Sequence, residues 1–191
     1  MTFYVRSAPI AYDLILMAQY PRLAGLVPGP TDGPTPWSRV IEYLVGVWID
    51  DYCLRCQTND IVQTSASNFS YVFDIPSGRL LAAFGVSSGR FGGARDASRM
   101  AGHPLSAGQL YHRGHAIPHT LGGPTDINLV PQRGSVNIGP FRVLERAAVA
   151  TPGAFYFTYW EYPSGATQIP ISVDQGLLIP GQPPRVTTHP N

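Results

Sequence analysis

Apolar positions recur at helical spacing from Trp37 to about Tyr52, where Val40, Tyr43, Leu44, Val47 and Trp48 share one face behind the start signal of Pro36. This predicts the main N-terminal helix. Ahead of it, Ala11 to Tyr20 reads as a short helix, and VPGPTDGPTP (27 to 36) as a turn-rich connector. The pattern then changes. FSYVFD (69 to 74) and RLLAAFG (79 to 85) are strand-like runs joined by the hairpin-sized loop IPSG. LYHRGHAIPH (110 to 119) is short and partly apolar, and the turn-rich LGGPTDIN and then LVPQ follow it. VNIGPFRVLERAAVA (136 to 150) sets Phe141, Leu144 and Ala148 on one face and stops before Pro152 and Gly153, which predicts one helix. AFYFTYWEYP (154 to 163) and QIPISVDQGLLI (168 to 179) are rich in aromatic and β-branched residues and flank SGAT as a second hairpin. From Pro180 onward, GQPPRVTTHPN reads as a disordered tail. No internal repeat is visible.

With 191 residues the chain is expected to be one domain, or one domain with an appendage, large enough to bury a core without staples. Charged residues make up 13%, about half the usual share, while 20 Gly and 19 Pro punctuate the chain. That excludes a coiled coil, a charged disordered chain and an all-helical bundle. The expected class is α+β with an antiparallel sheet, divided into a helical N-terminal extension at 1–65, a main domain at 66–180, and a tail at 181–191.

Charge refines this division. Residues 1 to 65 carry four arginines against six carboxylates, and the remainder nine against six. The net charge of +1 announces no polyanionic partner, so any such argument must rest on local charge. Every basic residue is Arg, whose fork suits bidentate phosphate contact, although a genome-wide compositional bias gives the same result. VSSGRFGGARDASRMAGHP (86 to 104) combines four glycines with Arg90, Arg95 and Arg99, candidate contacts to a phosphate backbone; the alternative is a solvated loop. Cys53 and Cys56 form a CxxC without a second pair, so a zinc ribbon is unsupported, and their place near the end of a helix-like stretch favours packing over redox chemistry. At the N-terminus Asp13 interrupts the apolar patch and no small-residue cleavage site follows a basic region, so no secretory signal is expected. No run approaches the roughly 18 apolar residues of a membrane span, and no membrane partner is expected.

Polar side chains concentrate in HRGHAIPHTLGGPTDINLVPQRGSVNIGPFRVLE. Several separated elements agree there: RGH at 113 to 115, LGG at 121 to 123, Asn128 with Pro131 and Gln132, Asn137 with Gly139, and Leu144 with Glu145. Together they resemble the DNA/RNA non-specific endonucleases of the ββα-metal (His-Me finger) superfamily, whose signature is DRGH, a loop ending N-x-x-P-Q, then N-x-G and LE. The resemblance covers about residues 69 to 179, and the compact loop between His115 and Asn137 matches the smaller bacterial toxin-type members best. It departs from the signature at His112, which stands where the family has Asp.

The resemblance implies a ββα-metal nuclease core and a metal-dependent endonuclease hydrolysing phosphodiester bonds of DNA, and of RNA as a further substrate. Such a reaction needs a base for water, a cation against the charge gathering on phosphoryl oxygen, and donors for the phosphate. His115 matches the general base, and Asn137 the single protein ligand to Mg²⁺, a hard cation that keeps several waters; Mn²⁺ or another divalent ion would substitute. Asn128 would orient His115 or the metal waters, Glu145 would hold the hydrated ion through water, and Arg113 would contact the scissile phosphate.

Each assignment has a plain alternative: a core histidine for His115, a helix N-cap for Asn137, an ion pair with Arg142 or Arg146 for Glu145, and a carboxylate such as Asp126 as the partner of Arg113. The spacing His115-x-x-x-His119 excludes a zinc protease, because Ala116 replaces the required Glu and Pro118 breaks the helix. The toxin-type resemblance further implies an antibacterial effector made in the cytoplasm and exported by a specialised secretion system, with a cognate immunity protein and a secretion adaptor as partners and with the extension at 1–65 serving delivery, loading or adaptor binding. The competing readings are a catalytically inactive nucleic-acid- or protein-binding module of the same fold, and a housekeeping nuclease needing no immunity partner.

Overall fold

Among the described residues, two helices with defined bounds precede the first strand: α1 (Leu23–Leu26), a single turn, and α2 (Ser38–Arg55), which buries Val40, Leu44, Trp48 and Tyr52 at intervals of four residues. That spacing returns to one face of a helix at nearly every turn, so α2 lays a continuous apolar stripe against its neighbour. The neighbour is a six-stranded antiparallel sheet in the order β1-β2-β3-β6-β7-β8. Its strands are β1 (Ile61–Ala66), β2 (Phe69–Asp74), β3 (Arg79–Val86), β6 (Phe155–Glu161), β7 (Ser172–Leu178) and β8 (Arg185–Pro190). Between β3 and β6 the chain leaves the sheet to form a separate antiparallel pair, β4 (Tyr111–His115) and β5 (Leu129–Arg133), followed by helices α3 (Gly134–Ile138) and α4 (Phe141–Ala150). This computed structural model describes residues 19–31, 33–58, 60–94 and 107–191. The helix expected over Ala11 to Tyr20 lies almost wholly outside the described residues.

Strand β6 shows how the layers are arranged. Its side chains alternate between two faces, and Phe155 through Trp160 are all buried. One face meets α2 and the residue before it: Trp37 lies 5.5 Å from Phe155, and Trp48 lies 5.3 Å from Phe157 and stacks on Tyr159 at 5.9 Å. The other face meets the inserted segment: Thr158 donates to the Ala116 carbonyl, and Trp160 lies 6.1 Å from Phe141 of α4. A central strand covered on both sides reads as a continuous apolar run, as 155 to 160 does. Gly176 of β7 is required by the same packing, since a Cβ there would sit 2.0 Å from the Phe157 ring.

Three expectations need correction. The N-terminal part is no extension: α2 covers one face of the sheet and β1 is its edge strand, so a boundary at residue 65 would cut through β1 and the core. The segment 136 to 150 is two helices, α3 and α4, because Pro140 has no N–H to donate and disfavours helical geometry in the residue before it; Gly139 turns there with φ −106° and ψ −114°. The tail is ordered as β8, paired with β7 from Leu177↔Arg185 to Ser172↔Pro190. Tertiary partners supply what its composition lacks. His189 meets Gln175 at 3.1 Å, and Asn191 accepts from the Arg133 amide at 2.7 Å and donates to the carbonyls of Pro131 and Pro170.

A buried polar group ties α2 to the sheet. Asp74 accepts from Tyr52 at 2.7 Å, from Thr58 at 2.6 Å and from Ser77 at 2.6 Å, and Arg79 donates to the same Tyr52 hydroxyl. Burial alone would raise the Asp74 pKa; the three hydroxyl donors and the Arg79 charge outweigh it and hold the carboxyl below its ordinary value. Arg79 is 2% exposed and also donates to the Thr167 and Gly165 carbonyls and to Cys56 Sγ. Cys56 is thus a packing residue beside a cation, Cys53 is exposed, and the two are unpaired. Among the described residues no helix is long and apolar enough to cross a membrane.

Candidate active site

The inserted segment is built around close approaches that only particular residues permit. Opposite β4, the buried Gln132 of β5 crosses so near Gly114 that a Cβ there would lie 2.4 Å from its Oε1. Just beyond His115, the Ile117 amide donates to Asn128 Oδ1 at 2.6 Å, and Asn128 Nδ2 donates to the carbonyls of Ile117 (2.7 Å) and Pro124 (3.1 Å). The Asn128 main-chain carbonyl also accepts from the Ala116 amide at 2.9 Å. Gly123 fits beneath this clamp because any Cβ would fall 2.0 Å from the Ile117 carbonyl oxygen. RGH, LGG and the Asn and Gln of NLVPQ thereby hold one loop, and that loop fixes where His115 stands.

The side chains of this segment meet in a cleft of about 970 Å³. Strand β4 contributes His112, Arg113 and His115; α3 contributes Asn137; α4 contributes Arg142, Glu145 and Arg146; the loop before the insertion contributes Arg90. Helix α4 divides its faces cleanly, with Phe141, Leu144 and Ala148 buried and the 142, 145, 146 and 149 positions turned to the cleft. Four arginines against one carboxylate give the cleft a positive field where the whole chain is nearly neutral.

Five of the eight residues named from sequence therefore converge: His115, Arg113, Asn137, Glu145 and Arg90 line the cleft, with His112 beside them. Asn128 does not line it. Its side-chain amide is fully buried and spent on the backbone of Ile117 and Pro124, so it acts on His115 through the loop. Arg95 and Arg99 lie outside the described residues. Asn137 is not an N-cap either: it sits in the last turn of α3, and its Nδ2 meets His112 Nδ1 at 3.3 Å. An amide nitrogen only donates, so in this contact the His112 nitrogen accepts and the Asn137 oxygen is the atom left to offer a cation. Gly134 makes that arrangement possible, because a Cβ at 134 would sit 2.7 Å from the His112 ring.

The donors present suit a hard, hydrated cation. Among the described residues no group of three His, Cys, Asp or Glu is gathered as a metal cage. Beside its imidazoles the cleft offers two oxygen donors, one amide and one carboxylate, a set that fits an ion keeping most of its waters. Sequence reasoning weighed His119 only for a zinc-protease pair and gave it no further role, yet its ring lies 6.4 Å from that of His115 and lines the same cleft. It also treated Arg142 and Arg146 only as partners for Glu145; the R-x-x-E-R spacing on a helix was the available signal, since positions three and four apart share a face.

The chain matches no protein-family model and no curated protein sequence. Among solved structures it is similar to NucA from Streptococcus agalactiae with magnesium ion bound, at 12% identity and a TM-score of 0.46, over 70% of this chain and 83% of that one. The same protein with no metal bound gives 12% identity and 0.46 over 76% and 88%. Likeness of that degree assigns no family, and the chemistry has to come from the cleft itself.

Proposed function

We propose that this chain is a metal-dependent endonuclease hydrolysing phosphodiester bonds of DNA, and of RNA, with His115 as general base. The observation that carries the reading is the meeting, in one arginine-lined cleft, of a histidine, an amide oxygen and a carboxylate from three separate elements. His115 takes the proton of the attacking water onto its imidazole, and the clamp of Asn128 on Ile117 holds the backbone just beyond it. Arg113 holds the scissile phosphate, while Arg90, Arg142 and Arg146 draw the strand in and bind flanking phosphates. Arg95 and Arg99 belong to the same proposal as further phosphate contacts. Asn137 and Glu145 would hold Mg²⁺ or Mn²⁺, Glu145 through water; when bound, the ion supplies positive charge against that developing on the phosphoryl and leaving oxygens. His112, in the place where the resembled family has Asp, orients the Asn137 amide.

Purified chain incubated with plasmid DNA and with RNA is expected to degrade both in Mg²⁺ and neither in EDTA. Asn137→Ala should lower the rate by about 100-fold or more and raise the metal concentration needed, as losing a ligand does where even outer-sphere partners cost about 10- to 100-fold. No cleavage with any divalent ion would leave a nucleic-acid-binding module in place of an enzyme.

The resemblance to compact toxin-type nucleases extends the proposal to an antibacterial effector exported by a specialised secretion system, with an immunity protein that covers the His115 cleft and an adaptor for delivery. Expression of the intact gene in a bacterium is then expected to arrest growth where His115→Ala does not. Equal growth of the two strains would remove the toxin role and leave a housekeeping nuclease.

A further inference from the structure

We infer that Phe91 is a stacking platform for an unpaired nucleobase, and that the substrate of this cleft is single-stranded or locally unstacked nucleic acid. The inference rests on the nuclease reading above and narrows its substrate. Phe91 is 49% exposed, an unusual state for a phenylalanine that is nonetheless held in place. Its amide donates to the Thr120 carbonyl at 2.7 Å, which ties the loop to the wall of the cleft. Two glycines lie against the ring. A Cβ at Gly93 would come within 2.3 Å of Cζ, and one at Gly122, which has φ +95°, would lie 3.5 Å from Cδ2. The ring is thus seated on backbone, where any larger residue at 93 would displace it.

Its place relative to the chemistry is as definite. The Phe91 ring stands edge-on to His119 at 5.8 Å, His119 stands edge-on to His115 at 6.4 Å, and Arg90, its neighbour in sequence, lines the cleft. The four arginines select a polyanion. The flat apolar surface that a polynucleotide carries is the face of its base, and in a duplex both faces are already covered by neighbouring base pairs. A rigid aromatic ring beside a phosphate groove therefore has a partner in a base that has left the stack, and such stacking is indifferent to sequence because every base has a π-face.

The test is binding of the intact chain in EDTA to a single-stranded oligonucleotide carrying 2-aminopurine and to the matching duplex. The wild-type chain is expected to bind the single strand more tightly and to quench the 2-aminopurine. Phe91→Ala should weaken single-strand binding about tenfold, within the range measured for loss of one base–aromatic stack, and abolish the quench while duplex affinity holds. Phe91→Tyr should restore both signals, which a merely structural defect would not allow. An equal loss on single strand and duplex, or no loss on either, overturns the platform and leaves the nuclease reading standing. Absence of any nucleic-acid binding by the wild-type chain overturns both.

Discussion

Replacing His115 by alanine is expected to lower phosphodiester cleavage by about 10²- to 10⁴-fold, the share that a positioned general base contributes, with the fold retained. The residue is 6% exposed on the cleft side of β4, so truncation removes an imidazole from the cleft lining and leaves the main core intact. Its backbone is held independently by Asn128 through Ala116 and Ile117, so the loop does not depend on the ring. Thermal melting within a few degrees of wild type, together with unchanged affinity for a single-stranded oligonucleotide in EDTA, separates lost chemistry from lost structure. A variant that cleaves at more than about a tenth of the wild-type rate would remove His115 from the role of base. His119, 6.4 Å away in the same cleft, would then be the next candidate.

A chain beginning at residue 66 is expected not to fold. It would lose β1, expose the face of the sheet that α2 covers, and strand Asp74 and Arg79 without Tyr52 between them. Trp48→Ala in the full chain measures the same contact more gently. That indole is 1% exposed, packs against Phe84, Phe157 and Tyr159, and donates to the Tyr20 hydroxyl at 3.2 Å. Its loss should cost about 3–5 kcal/mol, a large part of the 5–15 kcal/mol that holds a typical domain together. Urea titration followed by circular dichroism reads the shift in midpoint. A truncated chain that unfolds cooperatively, or a Trp48→Ala midpoint unchanged from wild type, would make the N-terminal part a separable appendage after all.

Local pattern was legible where one element's own spacing decides its state. The hairpin of β2 and β3 lies at 69 to 74 and 79 to 86 around the turn foreseen at 75 to 78, and the helix started by Pro36 runs from Ser38 to Arg55. The break between α3 and α4 was also written locally, in Gly139 and Pro140, and was passed over because Phe141, Leu144 and Ala148 keep helical spacing beyond it. The tail was misread for a different reason. Its prolines and polar residues carry no period, and β8 exists because β7 offers an unpaired edge and Gln175 and Pro131 offer partners to His189 and Asn191.

The candidate site divides along the same line. The order of residue types, His115 then Asn137 then Glu145 within one stretch, is a property of the chain, and its resemblance to a nuclease signature is what proposes a base, a ligand and a carboxylate there. By itself the sequence also determined the helix break at Gly139 and Pro140, since that depends on a missing N–H within one turn; the glycines at 114 and 123 are required by contacts with Gln132 and Ile117 that only the fold creates. Only the tertiary structure decided that Asn128 clamps a loop and stands outside the cleft, that His112 holds Asn137, and that Arg90 and Arg113 share one field with Arg142 and Arg146 of α4. The physical reason is that hydrogen bonding and electrostatics act through space over a few ångströms. Which groups come that close is settled by how α2, the sheet and the inserted hairpin pack, and no window of sequence contains that packing.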